Sequence, residues 1–216
     1  MKYIIDSAEP EQIEHALQIG ACGITANPTM YKNKHINFYR FLKKYSIYDL
    51  EFLSGEVMGD TFEEMSKEAE EIISINKNIV IKINFSQEGL RLCGYLSSLG
   101  IKSAMTLIFS ISQAVAASNA GASYVFPFVG RNEENGYDGL KIAEQIQQML
   151  HRRDSGTKVV AASIKNVRQL EQLALADIDY AAIPYDLFMR SLEHSLTESG
   201  TKIFKEDWDR VDKEYA

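Results

Sequence analysis

Short apolar runs alternate with longer amphipathic stretches from end to end of the 216-residue sequence, and this alternation restricts the fold more than any other feature. The runs are Lys2 to Asp6, Gly23 to Ala26, Glu51 to Val57, Asn78 to Asn84, Lys102 to Leu107, Ser123 to Phe128, Lys158 to Ala162 and Asp179 to Ile183. Each has the length of a strand, and most are rich in β-branched or aromatic residues. The stretches between them carry apolar residues at helical spacing, as Phe62, Met65, Ala69, Ile72 and Ile73 do. They predict helices over 9–19, 36–44, 61–75, 86–99, 112–119, 139–151 and 167–176, and one starting near 186. Ser7 is placed to cap the first, and Asn27-Pro28 stops the second strand. Strands that alternate with helices pair in parallel, so eight such units predict an α/β fold: a single (β/α)8 TIM barrel over 1–216. An open doubly wound sheet is the alternative, but it usually has fewer strands, and the glycine-rich dinucleotide fingerprint is missing. An additional C-terminal helix, about 202–214, carries the only tryptophan, Trp208.

One strand contains a residue that strands seldom bury. In Asn78-Ile79-Val80-Ile81-Lys82-Ile83-Asn84, Ile79, Ile81 and Ile83 share one face, and Val80, Lys82 and Asn84 the other. Lysine is rarely buried unless it is paired or used. Burial favours the neutral amine, a nucleophile toward carbonyls, so Lys82 is a candidate Schiff-base lysine. The other reading is an edge-strand lysine whose head reaches water.

In a barrel, outward positions meet helices and inward positions near the carboxyl ends face the active site. Alternation puts on one face Ile4 and Asp6; Phe52, Ser54 and Glu56; Ala104 and Thr106; Tyr124, Phe126 and Phe128; and Val159, Ala161 and Ser163. Asp6, Glu56, Lys82 and Thr106 therefore converge, each from its own strand. A lysine can attack a carbonyl while one carboxylate takes a hydroxyl proton and the other carries protons during loss of water. An ion-pair network that only links the strands is the competing reading. A second group follows the sixth and seventh strands: Arg131, Ser163 and Lys165. Late loops of such barrels often bind phosphate, and an arginine fork, a hydroxyl and an ammonium suit that anion.

Composition excludes several functions. Net charge is −7 and basic residues form no run beyond the pairs Lys43-Lys44 and Arg152-Arg153, which argues against bulk nucleic-acid binding. Cys22 and Cys93 lack metal-ligand spacing, as do the four histidines, so no metal site is expected. Two cysteines without a disulfide framework suit a reducing compartment. No signal peptide or membrane-spanning run is evident, and the cytoplasm is the expected location.

At these residues the chain resembles the transaldolase family, specifically the short bacterial branch that includes fructose-6-phosphate aldolase. The resemblance runs nearly end to end. It is carried by Gly23-Ile24-Thr25-Ala26-Asn27-Pro28-Thr29, Gly55-Glu56-Val57, Ile81-Lys82-Ile83, Thr106-Leu107-Ile108-Phe109, the stretch from Ala122 to Arg131, and Ala161-Ala162-Ser163-Ile164-Lys165. It implies a cofactor-free enzyme, transferring a dihydroxyacetone unit from fructose 6-phosphate or sedoheptulose 7-phosphate to an aldose phosphate in the pentose phosphate pathway. Lys82 would form the imine, Asp6 would take the C4 hydroxyl proton, and Glu56 with Thr106 would hold a proton-carrying water. Thr25, Asn27, Phe126 and Phe128 would line the donor pocket, and Arg131, Ser163 and Lys165 would hold the phosphate. Glu56 and Phe128 match the transaldolases, whereas the aldolase branch typically has Gln and Tyr there. Phe126, Ala26 and Asn84 depart from the family pattern of a small residue, Thr and Pro. The alternatives are a lyase that releases dihydroxyacetone and a catalytically weak sugar-phosphate-binding protein. The resemblance also implies a homo-oligomer, a pentameric ring or a decamer, and no nucleic-acid or membrane partner.

Overall fold

The computed structural model describes residues 1–211. Eight parallel strands close into one barrel in sequence order: β1 (Lys2–Asp6), β2 (Gly23–Thr25), β3 (Phe52–Val57), β4 (Val80–Asn84), β5 (Ser103–Ile108), β6 (Tyr124–Pro127), β7 (Lys158–Ala161) and β8 (Tyr180–Ile183). The ring shuts where β1 pairs with β8, Lys2 opposite Tyr180 and Ile5 opposite Ile183. The helices are α1 (Pro10–Gln18), α2 (Pro28–Asn33), α3 (Phe38–Tyr45), α4 (Phe62–Ile75), α5 (Gln87–Ser98), α6 (Ile111–Asn119), α7 (Val129–Glu134), α8 (Gly139–Arg152), α9 (Val167–Leu175), α10 (Tyr185–Leu192) and α11 (Ser195–Trp208).

Local chemistry explains where helices start. Thr61 forms a reciprocal capping box with Glu64, while Asn37, Ser86, Ser110, Asp138 and Asn166 each accept an amide of the first turn. Ser7 does not cap α1: Pro10 fixes the start one residue beyond Glu9, and Ser7 Oγ instead accepts the Glu9 amide and donates to Gln12 Oε1. Two short helices, α2 and α7, were not expected from periodicity, which six residues are too few to display.

Alternation along the strands divides the core into two layers. Ile5, Ile24, Leu53, Ile81, Ile83, Met105 and Val125 point outward and pack under the helices. Ile4, Phe52, Val80, Ala104, Tyr124, Phe126, Val160, Ala162 and Ala182 fill the barrel interior. The expected face of β7 is corrected: Val160 and Ala162 point inward, and Val159 and Ala161 pack outside. Val-Val-Ala-Ala is apolar on both faces, so its pattern cannot set the phase.

The C-terminal helix begins earlier than expected, at Ser195, and 212–214 of the expected span lie outside the described residues. It buries none of its residues, leaving Leu196, Ile203 and Phe204 exposed. Among the described residues no helix is long and apolar enough to cross a membrane.

Candidate active site

Closure of the barrel removes every sheet edge, so Lys82 cannot be an edge lysine. Its side chain is 7% exposed, and its ammonium lies 3.1 Å from Glu56 Oε2, itself on a side chain 6% exposed. The pairing follows from register, because Glu56 on β3 stands opposite Lys82 on β4. The ammonium also donates, at 3.5 Å, to the carbonyl of Ala26 and sits 5.7 Å from the centre of the Phe126 ring.

Asp6, at the last position of β1, is the second carboxylate at this mouth. Burial pushes its carboxyl up to about 6; the Lys82 ammonium opposes that rise and the Glu56 carboxylate adds to it. The three side chains are thus within electrostatic reach of one another. Thr106, on β5 opposite Asn84, is 2% exposed, and its hydroxyl has no hydrogen-bond partner among the described residues.

The expected binding residues fall into two places. Thr25 is buried and shares a 2.8 Å hydrogen bond with Ser54, joining β2 to β3 inside the barrel. Asn27 Oδ1 caps α2 by accepting the Met30 amide, which leaves its amide nitrogen to donate. Phe126 is 1% exposed and packs on Phe52 in the interior layer, so it forms the floor beside the lysine. Phe128 stands higher, next to Phe109, with the Arg131 guanidinium 5.1 Å from its ring centre.

Gly130, the neighbour of Arg131, meets Ser163 and Lys165 because α7 lies tightly on the segment after β7. The amides of Val129 and Gly130 donate to the carbonyls of Ala162 and Ser163. A Cβ on Gly130 would stand 2.3 Å from Ser163 O and 2.6 Å from Lys165 Cγ, so only glycine permits this approach. Ser163 has a left-handed backbone, φ 57°, which explains how it follows an inward Ala162 without continuing the strand's alternation. Lys165 Nζ reaches Glu134 at 3.2 Å, in an exposed pair.

Tyr31 on α2 was not singled out from sequence. Its side chain is buried, its hydroxyl has no hydrogen-bond partner among the described residues, and it lines a cavity of about 260 Å³ that Glu56 also lines. Its phenol is pushed far above the ordinary range by burial and by the Glu56 and Asp6 carboxylates. The preceding residue, Met30, lines a separate cavity of about 230 Å³ with Asp6, Ser7, Lys34 and Tyr185. Asn27 followed by Pro28 is a helix start, and Tyr31 lies one turn beyond it. That signal was present in the sequence.

A buried lysine between two carboxylates can form a covalent adduct with a carbonyl and move protons on either side of it. Comparison with known proteins fits this chemistry. A family model described as Transaldolase/Fructose-6-phosphate aldolase matches residues 3–215. A probable transaldolase of Geotalea uraniireducens is 39% identical over 214 residues, covering 99% of this chain and 100% of the relative. One from a Thermoanaerobacter species is 38% identical, covering 96% of this chain and 97% of the relative. One from Methanococcus vannielii is 38% identical, covering 97% and 98%.

Proposed function

The chain belongs to the transaldolase/fructose-6-phosphate aldolase family, and from that premise we propose a lysine-dependent transaldolase that moves a dihydroxyacetone unit between sugar phosphates. The observation that carries this reading is the buried Lys82 ammonium held 3.1 Å from Glu56, with Asp6 poised near pH 6 beside them. The Lys82 ammonium gives a proton to Glu56, its amine attacks the keto carbon of a ketose phosphate, and the carbinolamine takes that proton back on its hydroxyl and loses water to form an iminium. Asp6 takes the proton from the C4 hydroxyl as the C3–C4 bond breaks. The bond's electrons pass into the iminium and leave an enamine on Lys82. The aldose phosphate departs, an acceptor aldehyde enters, and the steps reverse to make the new ketose phosphate. Glu56 and Thr106 hold the water that carries protons during imine formation and hydrolysis.

The Asn27 amide nitrogen donates to a hydroxyl of the bound three-carbon unit, and Thr25 supports the floor below it through Ser54. Arg131, Ser163 and Lys165 take the phosphate, with Lys165 exchanging its exposed contact to Glu134 for the anion. A homo-oligomer is part of the same proposal, and the exposed apolar side chains of α11 are the surface that a second subunit would cover. Sedimentation at micromolar concentration tests it, and a monomer would refute it.

The test combines trapping with acceptor dependence. Borohydride reduction in the presence of fructose 6-phosphate should leave an adduct on Lys82, and Lys82→Ala should abolish it while circular dichroism stays native. Glyceraldehyde 3-phosphate formed only when erythrose 4-phosphate is present identifies a transferase. Free dihydroxyacetone formed without an acceptor identifies a lyase. The Phe126 ring beside the lysine favours one second reading, a protein that binds sugar phosphates but turns them over weakly. Binding without any trapped adduct would select it.

A further inference from the structure

The scheme just given assigns work to Asp6, Glu56 and Thr106 but none to the Tyr31 hydroxyl. Tyr31 is held by its surroundings: its ring is edge-on to Phe38 at 5.4 Å and to Phe41 at 5.2 Å, and the residue is 8% exposed. A buried hydroxyl with no partner costs on the order of 1–3 kcal/mol. Three buried oxygens around this mouth lack a hydrogen-bond partner among the described residues: Tyr31 OH, Thr106 Oγ1 and Glu56 Oε2, the last making only its ion-pair contact to Lys82.

The rest of the cavity shared by Tyr31 and Glu56 is apolar or carries groups already engaged in hydrogen bonds. Pro28, Phe38, Met58 and Ile72 supply carbon walls. Glu68 Oε2 accepts the amides of Met58 and Gly59, at 2.6 and 3.0 Å, and Tyr39 donates to Glu71. Tyr31 and Glu56 are the groups lining this cavity whose buried oxygens lack a hydrogen-bond partner among the described residues. Their roles are fixed by chemistry. An ionised carboxylate only accepts, and a phenol kept neutral is the donor. Burial and the two neighbouring carboxylates both oppose a phenolate here.

We infer that Tyr31 is a positioning residue for the proton steps of the lysine reaction, donating its hydrogen bond to the water that Glu56 and Thr106 share. This rests on the Schiff-base reading of Lys82 and deepens it. The water oxygen accepts from Tyr31 and one of its hydrogens points to Glu56, so the carboxylate meets a proton carrier in one orientation. The Lys82 ammonium first gives its proton to Glu56, and in carbinolamine dehydration the C–O bond breaks, the nitrogen lone pair forms C=N, and the departing oxygen takes a proton from the water as Glu56 returns the one it received. Hydrolysis runs the same path backwards. Tyr31 keeps its own proton throughout.

Tyr31→Phe removes one oxygen, keeps the ring contacts and breaks no hydrogen bond to a described residue. The expected result is a kcat lower by about 10- to 100-fold, at the modest end of acid–base effects, with KM changed less than about twofold. The rate of borohydride trapping should fall by the same factor, while the final amount of adduct stays the same. A double cycle with Thr106→Val should be non-additive, because both side chains act on one water. Wild-type kcat and trapping rate in Tyr31→Phe would overturn the inference, as would additive effects. So would a variant that fails to fold, since the hydroxyl would then have a structural partner. Wild-type protein that traps no adduct would instead remove the lysine reading itself.

Discussion

Asp6→Asn should make the protein more stable and less active at the same time. The carboxyl of Asp6 rises from 3.8 in an unfolded chain to about 6 in the barrel. At about 1.36 kcal/mol per pH unit, that difference is worth on the order of 3 kcal/mol. Its sign follows from proton counting. Between pH 3.8 and about 6 the folded protein holds more proton than the unfolded chain, so unfolding free energy falls as pH rises. Below that window Asp6 is protonated in both states and costs nothing. Above it, the folded state carries the full cost of a half-buried carboxylate. Asparagine is nearly the same size and never ionises. The stability gain of Asp6→Asn should be near zero at pH 3.5, grow through the window, and level off above pH 7 at about 1–3 kcal/mol. The attraction to Lys82 is already contained in that net rise, and the lower part of the range allows for the cost of placing the asparagine amide, whose donors need partners, in a site shaped for a carboxyl. Urea unfolding of both proteins across this pH range measures it. Cleavage of the ketose C3–C4 bond should meanwhile slow by about 100-fold or more, and wild-type kcat/KM should rise with pH through an acid limb near 6. An Asp6→Asn protein less stable than wild type at pH 7.5, or a difference that does not vary with pH, would refute the reasoning.

Two further substitutions probe the walls of the site. Gly130→Ala forces a Cβ to within 2.3 Å of Ser163 O and 2.6 Å of Lys165 Cγ; it should raise KM for phosphorylated sugars by about tenfold or more while trapping of free dihydroxyacetone on Lys82 continues, and an unchanged KM would separate Gly130 from the phosphate group. Phe126→Ala empties a position 1% exposed, against Phe52 and beside the lysine; it should lower stability by about 3–5 kcal/mol in urea titrations, and a loss under about 1 kcal/mol would mean that the interior layer collapses around the gap.

The barrel was legible because its signal is repeated. Each strand is buried on both faces, so it reads as a short apolar run, and the helices after β3, β4 and β7 each bring their own cap. Closure itself is not written in any one strand; it follows from eight units having to bury both faces. The same double burial is why β7 went out of phase. Val159 and Val160 are both fully buried, one under the helices and one inside the barrel, and nothing in their chemistry separates the two environments. Where a polar residue interrupts the run, as Lys82 and Glu56 do, the phase was readable and the register set them opposite each other.

The placement of the candidate site residues was legible to the extent that strands build it. Asp6, Glu56, Lys82 and Thr106 occupy β1, β3, β4 and β5, and strand alternation alone gives their direction. Residues on the two six-residue helices lie outside that logic: Arg131 was read from its place after the sixth strand, and Tyr31 was missed. Neither α2 nor α7 is long enough to show a hydrophobic period, yet α2 brings Tyr31 to a cavity that Glu56 also lines, and α7 brings Gly130, next to Arg131, onto Ser163 and Lys165. Both depend on one backbone feature rather than a pattern: Asn27-Pro28 starts α2, and the missing Cβ of Gly130 lets α7 settle on the β7 loop. In the proposed reaction, the strands fix where a carbonyl would meet the lysine. The short helices fix what surrounds that carbonyl, so changes in α2 and α7 should alter substrate range and proton handling while leaving the Lys82–Glu56 pair in place.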